Sequence, residues 1–164
     1  MRKRVRGRIH LSVPWVWATV VTLVALVSPS RAAAALGGGL DSVRADQLRM
    51  NATVRVVQRG AYTVYEIKDA TGTVVREYVS NSGTVFGVAW QGPFVPDMRQ
   101  ILGNYLEQFS RAAKVQREGG VGHHPLDIRE SGFVVQNVGH QRAYSGRAYD
   151  EGLLPGGVSV SGLW

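Results

Sequence analysis

The sequence predicts an α+β domain: an antiparallel β-meander of about four strands, one amphipathic helix, then a β-hairpin, with the helix packed on one sheet face. Three observations carry this. Residues 52–91 are β-branched and aromatic runs separated by short turns rich in Gly, Asp and Asn. A single apolar stripe at helical spacing follows from Met98. A second pair of β-rich runs lies beyond a polar, glycine-rich stretch. Strands joined by short connections are antiparallel neighbours, and a helix with one apolar stripe needs a sheet face to cover.

The elements follow in order. Residues 53–57 (TVRVV) form a first strand that ends at Arg59-Gly60, and residues 61–68 form a second. Asp69-Ala70-Thr71-Gly72 is a hairpin-length connection to a third, residues 73–79; Asn81-Ser82-Gly83 turns into a fourth, residues 84–90. Alternation puts Thr84, Phe86, Val88 and Trp90 on one face, and Val85, Gly87 and Ala89 on the other. Neither face of the meander is purely polar, which suggests cover on both sides. Asp97 is a helix N-cap, with Gln100 in the capping-box position. Met98, Ile101, Leu102, Tyr105, Leu106 and Phe109 make the apolar stripe, and Gly103 weakens the helix by about 1 kcal/mol relative to alanine. Residues 114–126 read as an exposed loop. Residues 132–138 and 141–149 read as the final hairpin, turning at Gly139-His140.

Ahead of this domain, Arg2, Lys3, Arg4, Arg6 and Arg8 precede an uncharged apolar stretch, residues 11–27, then Ser28-Pro29-Ser30 and a run of alanines, Ala32 to Ala35. This is the order of a cleavable Sec-type signal peptide over residues 1–34, with cleavage near Ala34/Ala35. A 17-residue stretch containing Pro14 is short for an uncleaved span. The chain has no cysteine, which excludes a lipidated cysteine anchor, disulfides and thiol chemistry. The expected address is the periplasm or the medium. Residues 35–50 open with Gly37-Gly38-Gly39 and read as a flexible lead-in, in which Asp41 to Arg49 is a short helix or an extended arm, leaving residues 51–164 as a single domain.

Splitting the charge changes its meaning. The chain has 19 basic and 12 acidic residues, a net charge of +7. Six of the basic residues, Arg31 included, lie in the leader with no acid. The remaining 13 against 12 give +1, too little for a nucleic-acid footprint.

The chemistry-bearing residues are sparse. Glu66 and Glu77 stand in neighbouring strands and are candidate paired carboxylates, with His140 as a third group; the plainer reading is ion pairing with Arg55, Lys68 or Arg76. His123, His124, Asp127 and His140 supply metal-type side chains without ligand spacing, so no metal is expected. Ser145-Gly146 is not the strand-to-helix elbow of a serine hydrolase. No cofactor motif is present. Aromatic residues are plentiful, and Trp90, Phe94, Tyr78 and Tyr144 are the candidate binding residues if they share an exposed face; otherwise they fill the core.

Five segments carry a family resemblance: Ala35-Leu36-Gly37-Gly38, Tyr62-Thr63-Val64-Tyr65-Glu66, Val75-Arg76-Glu77-Tyr78-Val79, Val85-Phe86-Gly87-Val88-Ala89-Trp90-Gln91-Gly92-Pro93, and Arg142-Ala143-Tyr144-Ser145-Gly146-Arg147-Ala148-Tyr149. Together they resemble a family of exported proteobacterial proteins catalogued as domain of unknown function 2844. The resemblance implies export, a single domain and a Gram-negative envelope, and brings no activity, cofactor or catalytic residue. The expected function is a non-catalytic binding or envelope-assembly module, whose partner is an envelope protein or a surface polymer and which has no membrane span once processed. A segment donated from Leu36 to Leu40 would suit an assembly factor. The alternative is an envelope hydrolase using carboxylate and histidine chemistry. Export is tested by intact-mass measurement of the protein recovered from cells expressing the full chain: a chain beginning at Ala35 or Leu36 is expected, and a cytosolic chain retaining Met1 would refute it.

Overall fold

The computed structural model describes residues 36–119 and 125–164. The expected leader and its expected cleavage point lie outside them, as do His123 and His124. The α+β class holds, but the sheet has seven antiparallel strands. Helix α1 (Leu40–Arg49) precedes a meander of β1 (Thr53–Gln58), β2 (Tyr62–Lys68), β3 (Val74–Ser80) and β4 (Val85–Gly92). Helices α2 (Met98–Leu102) and α3 (Leu106–Glu118) cross to a second meander of β5 (Leu126–Glu130), β6 (Phe133–His140) and β7 (Ala143–Asp150). The strand order β1-β2-β3-β4-β7-β6-β5 joins the meanders where β7 pairs with β4, from Gly87 opposite Tyr149 to Gly92 opposite Tyr144.

Both sheet faces are covered. On one lie the helices, packed on Ile67, Val75, Val88, Trp90, Val135 and Ala148. On the other the chain after β7 folds back, placing Leu163 with Val64, Tyr78, Phe86 and Tyr149. Arg147 staples this tail: its guanidinium donates to the Val160 carbonyl (2.7 Å), lies 4.5 Å from the Trp164 ring centroid, and donates to Gln136 Oε1 (2.9 Å).

Several local expectations are corrected. The stripe from Met98 to Phe109 faces the sheet as read, but the helix is not continuous. Gly103 adopts φ 48°, and a 3-10 turn at Gly103–Tyr105 separates α2 from α3. Asp97 caps α2 through the Arg99 amide, while Gln100 reaches away to Asp46 instead of closing the box. The stretch read as loop, residues 114–126, is helical as far as Glu118 and runs into strand β5 at Leu126; Leu126-Asp127-Ile128-Arg129-Glu130 has only two apolar residues because an edge strand keeps one face wet.

In β4 an extra residue at Phe86 forms a bulge opposite the Tyr78/Val79 step. Beyond it the alternation shifts, so Val85, Val88 and Trp90 face the helices while Phe86 and Ala89 face the tail. The last hairpin turns at Gln141 and Arg142, where Arg142 has φ 67°. Gly139 stays in β6, where a Cβ would lie 2.4 Å from the Ala143 carbonyl oxygen.

The glycines of residues 37–39 suggested a flexible lead-in, but the segment is built into the fold. Leu36 is buried and its amide donates to the Ile101 carbonyl, while Gly37 and Gly38 exchange main-chain hydrogen bonds with Val85. The main-chain groups that a donated strand would offer a partner are thus engaged within the chain. No helix among the described residues is long and apolar enough to cross a membrane.

The seam between the meanders is tight. A Cβ on Gly146 would sit 2.3 Å from Trp90 Cζ2 and 2.7 Å from the Gln136 carbonyl oxygen, so the indole lies directly on bare backbone. Gly146→Ala is expected to destabilise the fold by about 1–3 kcal/mol through overpacking. Gly156→Ala, with open space around it, should change stability by less than about 0.5 kcal/mol in the same denaturant titration. Equal effects would contradict this packing.

Candidate functional site

Glu66, Glu77 and His140 do not converge. In the β2–β3 register Glu66 stands opposite Arg76, and Glu77 opposite Tyr65, so the carboxylates project from opposite faces of the sheet. Glu66 lies on the tail side, held by Arg76 Nε at 3.0 Å and Arg55 at 3.7 Å. His140 is exposed at the end of β6. That strand is four positions from β2, roughly 19 Å at ordinary strand spacing.

Glu77 has a partner the sequence did not reveal. Residues 43 and 46 of α1 share the face turned to the sheet, and this places Asp46 against Glu77 in β3. Both are 0 % exposed. Asp46 Oδ1 accepts from Gln100 Nε2 at 2.7 Å, with Arg49 at 3.9 Å. Asp46 Oδ2 and both Glu77 oxygens have no hydrogen-bond donor if both groups are ionised. A proton held between the carboxyls supplies one. Burial pushes the Glu77 carboxyl well above its ordinary range, and the neighbouring Asp46 charge adds to the shift. Burial also raises Asp46, against the lowering effect of its hydrogen bonds to Glu77 and Gln100 and of the Arg49 charge. The pair is sealed from solvent, so it fastens α1 to the sheet and offers nothing to a substrate.

The four candidate aromatics divide. Trp90 and Tyr78 are buried. Tyr78 packs with Tyr62 and Phe86, centroids 6.0 and 6.2 Å away, and its hydroxyl donates to the Trp164 carbonyl. Phe94 is 59 % exposed just past β4. Tyr144 is half-buried opposite Gly92, the last residue of that strand. A groove lined by Gln91, Pro93, Arg142, Tyr144 and Ser145 opens there, at the same end of the sheet as His140. Thr73 holds the segment through its hydroxyl to the Phe94 carbonyl, and Gly92 lets the strand pass; a Cβ there would meet Thr73 Cα at 2.5 Å.

Residue type pointed to Phe94 and Tyr144. Arg142 escaped notice as a site residue because its place depends on a turn two residues beyond the glycine that marked it. Among the described residues no set of three His, Asp or Glu side chains gathers that could hold a metal.

Residues 32–163 match a family described as "Protein of unknown function (DUF2844)". No curated protein matches the chain, and no solved structure does.

The buried carboxyl pair makes stability depend on pH. Both folded-state values lie above those of the unfolded chain, where ordinary carboxyls titrate near 3.8 and 4.5. The stabilisation is therefore complete below that range, shrinks as pH rises, and is gone once the pH passes the raised values. Glu77→Gln keeps the shape and gives Asp46 a permanent donor. It should flatten most of the decline between pH 5 and pH 8 and stabilise the protein by about 1–3 kcal/mol at the upper pH, read by denaturant unfolding. An unchanged pH slope would rule out the shared proton.

Proposed function

The chain belongs to the DUF2844 family of proteins of unknown function, and on that footing we propose that it is a non-catalytic, exported module of the bacterial envelope that binds a surface polymer or an envelope protein through the Tyr144 groove and the neighbouring Phe94. The observation that carries this is a contrast. The groups suited to catalysis are dispersed or sealed, whereas Tyr144 lines an open groove with a guanidinium beside it, and exposed Phe94 follows Pro93 of the same lining directly in the chain. An aromatic face takes up a sugar ring or an apolar side chain, and Arg142 complements an acidic group. The leader-like N-terminus and the near-neutral remainder of the chain support an envelope address and argue against nucleic acid. The hydrolase alternative has less to rest on, since Glu66, Glu77 and His140 would have to meet in one cleft and stand on separate strands and faces.

Co-sedimentation with isolated cell-wall material and outer-membrane vesicles tests the groove. The double variant Phe94→Ala/Tyr144→Ala should bind about tenfold more weakly with an unchanged melting temperature, because both side chains are at least partly exposed. Glu66→Gln and His140→Ala should bind normally. Turnover of the polymer that is lost in His140→Ala would establish the hydrolase instead, and normal binding by the double variant would displace the groove.

A further inference from the structure

Strand β5 ends the sheet, with no further strand beside it among the described residues. Its hairpin determines which main-chain groups face outward. Ser131 and Gly132 both have positive φ (51° and 85°), the geometry of a two-residue type I′ turn. Glu130 and Phe133, which flank the turn, therefore form the hydrogen-bonded pair that closes the hairpin. By alternation Ile128 and Leu126 also face β6, and the N–H and C=O groups of Asp127 and Arg129 face away from the sheet. The side chains of Asp127 and Arg129 are exposed and form an ion pair at 3.3 Å along the strand, on the face opposite buried Ile128.

We propose that this edge is a dimerisation surface and that its occupant is β5 of a second copy, antiparallel about a two-fold axis at Ile128. The argument is charge complementarity within the registers the backbone permits. A two-fold register centred on Asp127 sets Asp127 against Asp127 of the other copy. One centred on Arg129 sets arginine against arginine. The register centred on Ile128 sets each Asp127 against the other copy's Arg129, and each of these facing pairs exchanges both of its main-chain hydrogen bonds. The ion pair made along the strand in one copy is thereby exchanged for pairs across the interface.

Charges on an edge strand ordinarily keep it from pairing. The other edge, β1, fits that role. Its only charged residue is Arg55, which would oppose itself in a two-fold register centred on it, and that side chain is already paired with Glu66. In β5 the signs are instead mirror-complementary about the central residue.

The helix layer extends the contact. Helix α3 runs beside β5, tied by Gln108 Nε2 to the Glu130 carbonyl at 2.8 Å. Between the two lies an open groove of about 540 Å³, lined by Arg111, Ala112, Val115, Gln116 and Ile128, where Val115 is 70 % exposed. A two-fold axis perpendicular to the sheet keeps the helices of both copies on the same side. Each α3, about 20 Å long, then stands over the junction and closes the groove with Val115. The result is a continuous sheet across two copies with no open β5 edge.

Charge reversal provides a test with a positive outcome. Sedimentation equilibrium of the protein recovered from cells expressing the full chain should show a reversible dimer. Asp127→Arg alone and Arg129→Asp alone place like charges opposite one another and should each weaken dimerisation by about tenfold or more, with melting temperatures matching the parent's at concentrations low enough for all to be monomeric. Mixing the two single variants should restore a dimer, now a heterodimer, and the double variant Asp127→Arg/Arg129→Asp should dimerise like the parent. A parent chain that stays monomeric at high micromolar concentration, its edge open to some other protein's strand, would overturn the proposal. So would single reversals without effect, or a mixture that fails to pair.

Discussion

The pairing of β7 with β4 is the constraint on which the rest of the molecule depends. It brings together stretches about sixty residues apart and makes one sheet of two meanders. Trp90 lies across this seam on the bare backbone of Gly146, and Val88 and Ala148 meet on the same face. The helices cover the seam from one side, their apolar stripe sharing one core with Val88, Trp90 and Ala148. The tail covers it from the other through Leu163, which lies 3.3 Å from where a Cβ of Gly87 would sit. The candidate groove is the place where this pairing stops, at Gly92 and Tyr144. Its floor is inherited from the seam, and Pro93 and the Arg142 turn complete its walls.

Local signals in the sequence were sufficient for much, but not all, of what depends on neighbours along the chain: the break at Gly103 and the turn at Gln141 and Arg142 were not read. The first meander, the helical stripe from Met98 and the cap at Asp97 are legible because each is a periodicity or a turn residue acting over a few positions. What else escaped was set by distant contacts. The bulge at Phe86 reversed the faces of Val85 and of Phe86, since nothing local distinguishes an inserted residue from regular alternation. Strand β5 carries three charges in five residues, and only its pairing with β6 makes it a strand. Gly139 looked like a turn because glycine permits unusual backbone, yet it serves there to let Ala143 approach.

The candidate site divided along the same line. Glu66 took the ion-paired role open to it from the start, with Arg76 and Arg55 on adjacent strands. Glu77 could not be placed from sequence because its partner sits on α1, a segment whose glycine-rich approach resembled a tether. The heptapeptide Ser42-Val43-Arg44-Ala45-Asp46-Gln47-Leu48 shows no strong apolar stripe, and the helix buries an acid where a hydrophobic residue is usual. Two carboxyls with one proton are less costly to bury than two charges, and this lets a weakly amphipathic helix dock. Among the aromatics, residue type alone could not separate Trp90 from Phe94; the difference is that Phe94 follows a Gly-Pro step that carries it off the sheet.

The late position of β7 relative to β4 bears on how the chain folds as it is made from its N-terminus. Strand β4 is apolar toward both layers, and six of its eight residues are buried in the finished structure. Its neighbour β3 arrives early, but its other edge must wait for about fifty more residues to emerge. During that interval a nascent chain presents a sticky, half-paired ribbon to its surroundings, which is the condition under which slow non-local sheets aggregate. Maturation is therefore the vulnerable stage in this protein's life, and its yield will be governed by how quickly the last strand is delivered, or by whatever shields β4 until then.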